Sequence, residues 1–325
     1  MRRLTESERA KLEHGFLWMD WFSVPQKNVA GDTHSSLVDQ LCSMCIESIP
    51  SYVEACEVFV ALTPRLRHHD LGQLCDFPSW QSRGWCRTEL WCKILSSTSD
   101  VCLVQVSAGD KVDFFLPIRW VDSPVPEGNF TVEADRKVCC QIVRAALDAK
   151  LGQLSGKPKH LNVFRYLAGR YEDFIGAPPV PQNPEEFASS FNIASLEKSA
   201  KQREGVGAVA CAVLSGDIGM LQHLVTCRAD LDIKLPTLWE MALPAGCTAL
   251  HLAAIRGSRG LDVLEELLKL RSDANACERH GGPVLCYCQA AKSVDLLVRY
   301  RADVNILKPP SKTAALSGVC ARGAP

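Results

Sequence analysis

Short apolar runs alternate with helical patterns in the first half of the chain. Runs of mostly large apolar residues, typical of buried strands, occupy residues 16–22, 57–62 and 101–106. Apolar residues at the spacing of one helix face occupy residues 37–46, 84–95 and 132–147. Strands that alternate with helices usually pair in parallel, because each helix returns the chain to the same edge of the sheet. The pattern predicts an α/β domain over residues 1–149, with a parallel sheet flanked by helices.

The middle of the chain has a different pattern. A helical pattern over residues 161–174 precedes residues 176–186, in which four prolines exclude a continuous helix or strand. The sequence Asn183-Pro184 followed by two glutamates predicts a helix start, because proline and acids are favoured in the first turn. Residues 150–204 are therefore predicted to form a partly helical connector.

Residues 205–325 contain an internal repeat. The sequence Arg-Ala-Asp-Leu-Asp at residues 228–232 recurs in similar form at residues 271–275 and 301–305. Each copy follows a short apolar helical segment, and the spacing brackets a unit of about 33 residues. Such units stack, because none can bury its apolar face alone. The pattern predicts an all-α solenoid of three degenerate units, with the first helix of a truncated fourth unit over residues 313–323.

The second unit carries a recognisable signature. Its positions are Gly246, Thr248, Leu250, His251, Ala253, Ala254 and Gly257, and the three units close on Asp230, Asp273 and Asp303. This signature resembles the ankyrin repeat. In that family the threonine caps the first helix, the histidine joins hydrogen bonds between turns, and the alanine pair lets two helices pack closely. The first unit lacks the opening threonine and histidine, and the third is shortened, with Cys286 and Cys288 near the histidine and alanine places.

Ankyrin arrays hold other proteins on their concave surface, so this resemblance implies a protein partner. The alternative is a helical cap that binds nothing. In both interpretations His251 is expected to be structural rather than catalytic or metal-binding.

Three stretches near the N-terminus, residues 17–26, 49–62 and 82–90, carry a second set of motifs. The motif residues are Asp20, Gln26, Arg83, Trp85 and Glu89, and two residues separate the pair Trp85-Cys86 from the pair Glu89-Leu90. Together these stretches resemble TIR domains and their fungal relatives, the heterokaryon-incompatibility (HET) domains. The resemblance implies a TIR-like fold. Residues 4–13 leave room only for part of the first helix of that fold, so either the fold has lost its first strand or the sequence is truncated before it.

The same resemblance implies a candidate active site. In TIR enzymes the glutamate that matches Glu89 is the catalytic residue of NAD cleavage, and Asp20, Trp85 and Arg87 stand near it in the motif. NAD would then be a substrate, and no bound cofactor is expected. A carboxylate at a sheet edge can hold ribose hydroxyls or stabilise an oxocarbenium-like centre. The alternative for Glu89 is a helix carboxylate paired with Arg83 or Arg87, and for Trp85 it is core packing.

Composition and charge exclude several functions. The 325 residues include 36 Lys and Arg against 37 Asp and Glu, which gives no support to a nucleic-acid groove or a polybasic membrane surface. Residues 1–15 lack the apolar core of a signal peptide, and the nearly apolar residues 206–214 are too few to span a bilayer. The 16 cysteines are therefore expected to be reduced core residues of a cytoplasmic protein.

Two further chemistries are disfavoured by spacing. His68, His69, Cys75, Cys86 and Cys92 could be gathered as zinc ligands, but beside the pair Cys42 and Cys45 no second tight pair exists. The sequence also has no glycine-rich phosphate loop after a strand.

The sequence as a whole predicts a signalling adaptor, in which the ankyrin-like array recruits a protein partner to a TIR/HET-like domain. Neither a nucleic acid nor a membrane is expected as a partner. The alternative is an enzyme, an NAD glycohydrolase of the TIR type that the array regulates or targets. The partner, the pathway and the oligomeric state are not encoded in any pattern found here.

Overall fold

The computed structural model describes residues 5–25, 35–97, 102–115, 120–201, 205–308 and 313–314. Contacts divide these residues into two units. The first holds the described residues up to 115 and residues 128–146, and the second holds residues 120–127 and the described residues from Leu147 onward. The domain boundaries expected after residues 149 and 204 remain predictions.

The first unit combines helices with short strands. Its helices are α1 Glu6–His14, α2 Asp20–Ser23, α3 Ser35–Glu47, α4 Ile49–Ala55, α5 Phe77–Ser82, α6 Gly84–Leu95 and the first part of α7 Ala134–Leu154. Its strands are β1 Val58–Leu62, β2 Leu66–Arg67, β3 Leu74–Cys75, β4 Cys102–Ala108 and β5 Lys111–Phe114. The helices predicted over residues 37–46, 84–95 and 132–147 are confirmed, as are the strands predicted over 57–62 and 101–106.

The sheet is mixed rather than wholly parallel. Strands β1 and β4 pair in parallel, from Val58 opposite Cys102 to Leu62 opposite Val106, as predicted. Strand β5 then pairs with β4 in the antiparallel direction. Only Gly109 and Asp110 separate these two strands. A two-residue connection makes a hairpin, whereas a parallel return needs a long crossover. The prediction of a parallel sheet is thus wrong for this third strand.

The strand predicted over residues 16–22 is also wrong. Phe16 and Leu17 are exposed and belong to no strand, and α2 begins at Asp20. Within this run the ring of Trp18 stacks on Tyr52 of α4 at 5.3 Å between centroids. Strand formation requires a neighbouring strand that accepts the backbone hydrogen bonds. An apolar run alone does not supply one.

The second unit is helical. Its helices, after the end of α7, are α8 Leu161–Gly169, α9 Tyr171–Ile175, α10 Pro184–Ser190, α11 Leu196–Ala200, α12 Ala208–Ser215, α13 Ile218–Thr226, α14 Ala249–Ile255, α15 Leu261–Lys269 and α16 Ala291–Arg299. The helix predicted over residues 161–174 is divided at Arg170 into α8 and α9. The predicted start at Asn183 is confirmed, because its side chain accepts the N–H groups of Glu185 and Glu186.

Two complete helix pairs and one shortened pair form the repeats. Helices α12 and α13 form the first and α14 and α15 the second, while a single 3-10 turn, Val284–Tyr287, precedes α16 in the third. Pro283 stands directly before this turn, and the short interval to α16 leaves no room for a full helix. The helix predicted from residue 313 is wrong at its start, since Thr313–Ala314 pairs as strand β7 with β6, Leu307–Lys308. Residues 315–323 lie outside the described part.

Helices α8, α9 and α11 pack against the first repeat. Gly169 lies so close to α12 that a Cβ on it would stand 2.6 Å from Cβ of Leu214. Arg165 is buried, and its guanidinium donates to the carbonyls of Phe191, Asn192 and Val206 at 2.8, 2.9 and 2.9 Å. Three carbonyl dipoles therefore replace the water that this charge loses on burial.

A buried ion pair also joins α9 to the end of α14. Arg256, which follows α14, donates through Nε and Nη2 to both carboxylate oxygens of Asp173 in α9, at 2.8 and 2.9 Å. Its Nη1 donates to the carbonyl of Val213 at 2.8 Å. Arg170 lies 3.5 Å from the same carboxylate, and all three charged side chains are almost fully buried. Bidentate pairing satisfies the charges that burial would otherwise leave unpaired.

The cysteines of the described residues form no disulfides. All fifteen are thiols, and burial raises the pKa of Cys92, Cys139 and Cys211 to about 12. Since the thiolate is the reactive form, these three thiols are expected to resist iodoacetamide in the native protein at neutral pH and to react once urea unfolds it. Peptide mass spectrometry without reductant measures both states. Native labelling of these three, or disulfide-linked peptides, would contradict the expectation.

No helix of the described part of the chain is both long enough and apolar enough to cross a membrane.

Candidate functional site

Helix α6 carries three of the four residues of the candidate NAD site. Its first residue, Gly84, lies under the ring of Phe130, where a Cβ would come within 1.9 Å of a ring carbon. Trp85 donates from Nε1 to Asp135 of α7 at 2.9 Å, and it packs against the core formed by Ile49, Val53, Cys92 and Ile142. The expected core packing of Trp85 is therefore present, together with a hydrogen bond that the sequence did not indicate.

Glu89 is half-buried on the same side of α6 as Trp85, one turn later. Its charge acts on the thiols of Cys92 and of Cys139 in α7, and contributes to the rise in the pKa of both. Arg87 points elsewhere, because its Nε donates to the carbonyl of Gln81 at 2.8 Å. The structure thus brings Glu89 and Trp85 to the α7 side of the helix and separates Arg87 from them.

Two further motif residues, Asp20 and Gln26, lie outside α6. Asp20 is the first residue of α2, two residues after Trp18, which packs against the same core as Trp85. Gln26 lies outside the described residues. Among the residues with described positions, no three His, Cys, Asp or Glu side chains are grouped so that they could hold a metal ion.

The second repeat is built around His251. Its Nδ1 accepts hydrogen bonds from the backbone N–H of Thr248 at 3.1 Å and from the hydroxyl at 3.0 Å. The opposite nitrogen, Nε2, donates to the carbonyl of Gly282 at 3.5 Å, so the imidazole is the Nε2–H tautomer. Gly282 belongs to the loop of the third repeat, where its own N–H donates to Glu278 at 3.0 Å. His251 therefore links the start of α14 to the next loop and has no free position for catalysis.

Small residues allow the helices of this repeat to approach closely. Leu250, Ala253 and Ala254 are buried, and a Cβ on Gly260 would stand 2.1 Å from the carbonyl oxygen of Ala253. Gly246 has a left-handed φ of +91°, and a Cβ there would meet the backbone N of Arg279 at 2.8 Å. Glycine at that position removes both the strain and the clash.

The three aspartates that close the units make the same local turn. Asp230, Asp273 and Asp303 each accept, through Oδ1, the N–H of the residue two positions later, at 3.0, 2.9 and 2.8 Å. This geometry is the Asx turn, which gives a loop a defined conformation without regular structure. The repeated pentapeptide of the sequence thus marks three equivalent loops.

Hydrogen bonds also join each loop to the next. Asp232 accepts the N–H of Asp273 at 3.3 Å, and Asn275 accepts the N–H of Asp303 at 2.7 Å. Asn275 also donates through Nδ2 to the carbonyl of Arg301 at 3.3 Å. We call the three loops joined by these bonds, residues 228–232, 271–275 and 301–305, the loop row. The row holds its members at a fixed spacing.

Residues 245–279 match the family model of the ankyrin repeat. This stretch contains α14, α15 and the loop that follows, so the match covers the unit with the full signature. No curated protein shows a significant match to the chain. An ankyrin repeat supports protein–protein interaction in general, and the resemblance of the first unit to TIR and HET domains remains a proposal.

The first loop of the row lies beside a shallow depression with an empty volume of about 280 Å³, part of it open solvent. It is lined by Ser199, Gly205, Gly207, Val209, Ala210, Leu231, Ile233, Leu235 and Ala249. The lining is small and mostly apolar. A depression of this size does not enclose a small molecule.

Sequence reasoning overlooked the arginines that open the three pentapeptides. Arg228, Arg271 and Arg301 have left-handed φ values of +60°, +68° and +66°. Their side chains are exposed. Their recurrence was visible in the sequence, but the left-handed backbone that makes it unusual was not.

The burial of His251 makes the stability of the second structural unit, which contains the repeats, depend on pH. Loss of hydration lowers the pKa of His251 to about 4, against about 6.5 for an unfolded histidine. Between these values the unfolded chain binds a proton that the folded chain resists. The stabilisation that neutral, buried His251 gives the folded chain is therefore complete above pH 6.5. It declines as the pH falls towards 4, by about 1.4 kcal/mol per pH unit.

We expect the free energy of unfolding of the second unit to fall by about 2 to 3 kcal/mol from pH 6.5 to 4 on this account alone. Urea denaturation at a series of pH values measures it. His251→Asn is the matched control, since it removes the titrating group. An equally steep decline in the variant would show that other groups cause the pH dependence.

Proposed function

We propose that the chain is a protein-binding adaptor, in which ankyrin-type units hold a partner and a TIR/HET-like α/β unit carries the signalling role. The loop row is the observation that carries this proposal. Its Asx turns and the bonds from Asp232 and Asn275 fix the loops before any partner arrives. A preordered surface loses little conformational entropy on binding, which favours recognition of another protein.

Two further features support an adaptor rather than a small-molecule enzyme. The depression beside the first loop has an empty volume of only about 280 Å³, part of it open solvent, whereas substrate sites are usually larger and enclosed. The fifteen cysteines of the described chain form no disulfides, which fits a reducing compartment and the proposed cytoplasmic location.

The binding surface can be located by site-specific photocrosslinking in cells of the source organism. A photoreactive amino acid replaces Lys234 or Arg279, which are exposed near the loops, and in a control it replaces Arg144, which is exposed on α7 in the first unit. We expect the same partner protein to crosslink from both loop positions and not from Arg144. Equal crosslinking from all three positions, or none from the loops, would contradict the proposal.

The alternative of NAD cleavage depends on Glu89. Its charge lies near the buried thiols of Cys92 and Cys139, and residues 16–22, which a TIR fold would use as a strand, contain no strand. A loosely held nucleotide loses the positioning on which catalysis depends.

We therefore expect the purified full chain to release no nicotinamide from NAD above background. Chromatographic detection of nicotinamide measures the reaction, with Glu89→Gln as the control for contaminating hydrolases. Release that disappears in the Glu89→Gln protein while its circular dichroism spectrum is unchanged would establish the enzyme and refute our expectation.

A further inference from the structure

Arg228, Arg271 and Arg301, which we call the arginine row, occupy one equivalent backbone position in the three repeats. In each unit the arginine N–H and the following N–H donate to carbonyls of the last helical turn, as for Arg228 to Val225 at 2.9 Å. This closure of a helix normally ends on glycine, because a left-handed φ strains a residue that has a side chain. The chain accepts the strain at all three positions, and folding stability does not explain it.

The guanidinium groups of the arginine row are available to a ligand. All three side chains are exposed, and within the described part of the chain no hydrogen bond or ion pair holds them. The nearest acids along the chain, Asp230 and Asp273, use a carboxylate oxygen for their own loop N–H groups. Each arginine can therefore bind a carboxylate of another molecule in the bidentate manner.

The spacing of the arginine row follows from the packing of the repeats. Stacked helices lie about 8 to 10 Å apart, and the bonds of the loop row hold successive loops in register. In a polyproline-II helix, which has three residues per turn, every third side chain lies on the same face and recurs after about 9 Å. Carboxylates at every third position of such a peptide would thus face successive arginines.

We propose that the arginine row binds an acidic segment of the partner protein in the polyproline-II conformation, with carboxylates at every third residue. This inference rests on the proposed adaptor function and specifies the chemistry of its partner. Each arginine is followed two residues later by an aspartate, at Asp230, Asp273 and Asp303. They disfavour a dense polyanion such as DNA, which carries one charge per about 1.7 Å, whereas separated carboxylates can avoid them.

The test uses the full chain and a fluorescein-labelled peptide with Glu-Pro-Ala repeated four times, followed by anisotropy at low salt. The variant R228G/R271G/R301G removes the three guanidinium groups, and glycine relieves the left-handed backbone, so its thermal midpoint should stay equal or rise. The matched control K137Q/R144Q/K159Q removes three exposed positive charges elsewhere. We expect the glycine variant to bind about tenfold more weakly than the native chain and the control variant to bind normally.

Spacing and chemistry are tested by other probes. A peptide of the same composition with its glutamates adjacent, and one with glutamine in place of glutamate, should both bind about tenfold more weakly. Equal binding of the spaced peptide to the native and glycine proteins would overturn the proposal. Duplex DNA or anionic vesicles that compete as well as the spaced peptide would also overturn it. A partner that still crosslinks to the glycine variant from Lys234 and Arg279 would leave the adaptor function standing while refuting the arginine row.

Discussion

Asp173→Ala is expected to lower the free energy of unfolding of the second unit by about 3 to 5 kcal/mol. The substitution leaves the guanidinium of Arg256 buried without the carboxylate that accepts two of its hydrogen bonds, and removes the acid that lies 3.5 Å from Arg170. Two buried cations then face each other with no anion between them. Chemical denaturation of the full chain, followed by circular dichroism, measures the loss.

Two comparisons make this prediction specific. Asp295→Ala removes an exposed carboxylate of α16 and should change stability by less than about 0.5 kcal/mol. Arg256→Met should cost less in the Asp173→Ala background than in the native chain, because the pair is already broken there. Purely additive losses would show that Asp173 and Arg256 do not interact as the structure indicates.

Leu250→Ala should cost about 2 to 5 kcal/mol, since Leu250 is completely buried between the helices of the second repeat. The loss combines the transfer of the removed methyl groups to water with the cavity that remains. Helices fixed by the close contact at Gly260 have little freedom to collapse into that cavity, which favours the upper part of the range.

The same denaturation experiment tests the prediction, with Leu307→Ala as the matched control because Leu307 is exposed. A loss below about 0.5 kcal/mol for Leu250→Ala would show that this side chain is not in a core. A comparable loss for Leu307→Ala would show that truncation of any leucine of this unit is costly. The loss for Leu250→Ala would then not indicate that Leu250 lies in a core.

Several features that depend only on neighbouring residues within one helix, strand or turn were predicted correctly. Helix α6 begins and ends where its apolar spacing indicates, and β1 ends before Thr63-Pro64, which breaks the strand. The loop pentapeptides were visible as repeats because each Asx turn involves only neighbouring residues. The hairpin partner β5 was missed although Gly109-Asp110 is a turn signal between two short apolar runs.

Features that depend on distant residues could not be predicted. Residues 16–22 have the composition of a buried strand, yet whether they pair depends on neighbours elsewhere in the chain. Asp173 and Arg256 read as ordinary charged residues, because nothing local reveals a partner 83 positions away. At the candidate active site, the motif placed Glu89 and Arg87 two residues apart, but helix geometry turns them to different sides.

The three hydrogen bonds from Arg165 to backbone carbonyls have a consequence for the order of folding. Its three acceptors stand 26, 27 and 41 residues later in the chain, in residues that emerge from the ribosome after α8. Until Val206 has been synthesised, the guanidinium cannot exchange its water for the full set of carbonyls. Helix α8 is therefore expected to pack against the rest of the unit only after α12 has been synthesised. The repeats and the helices before them would then fold in one step.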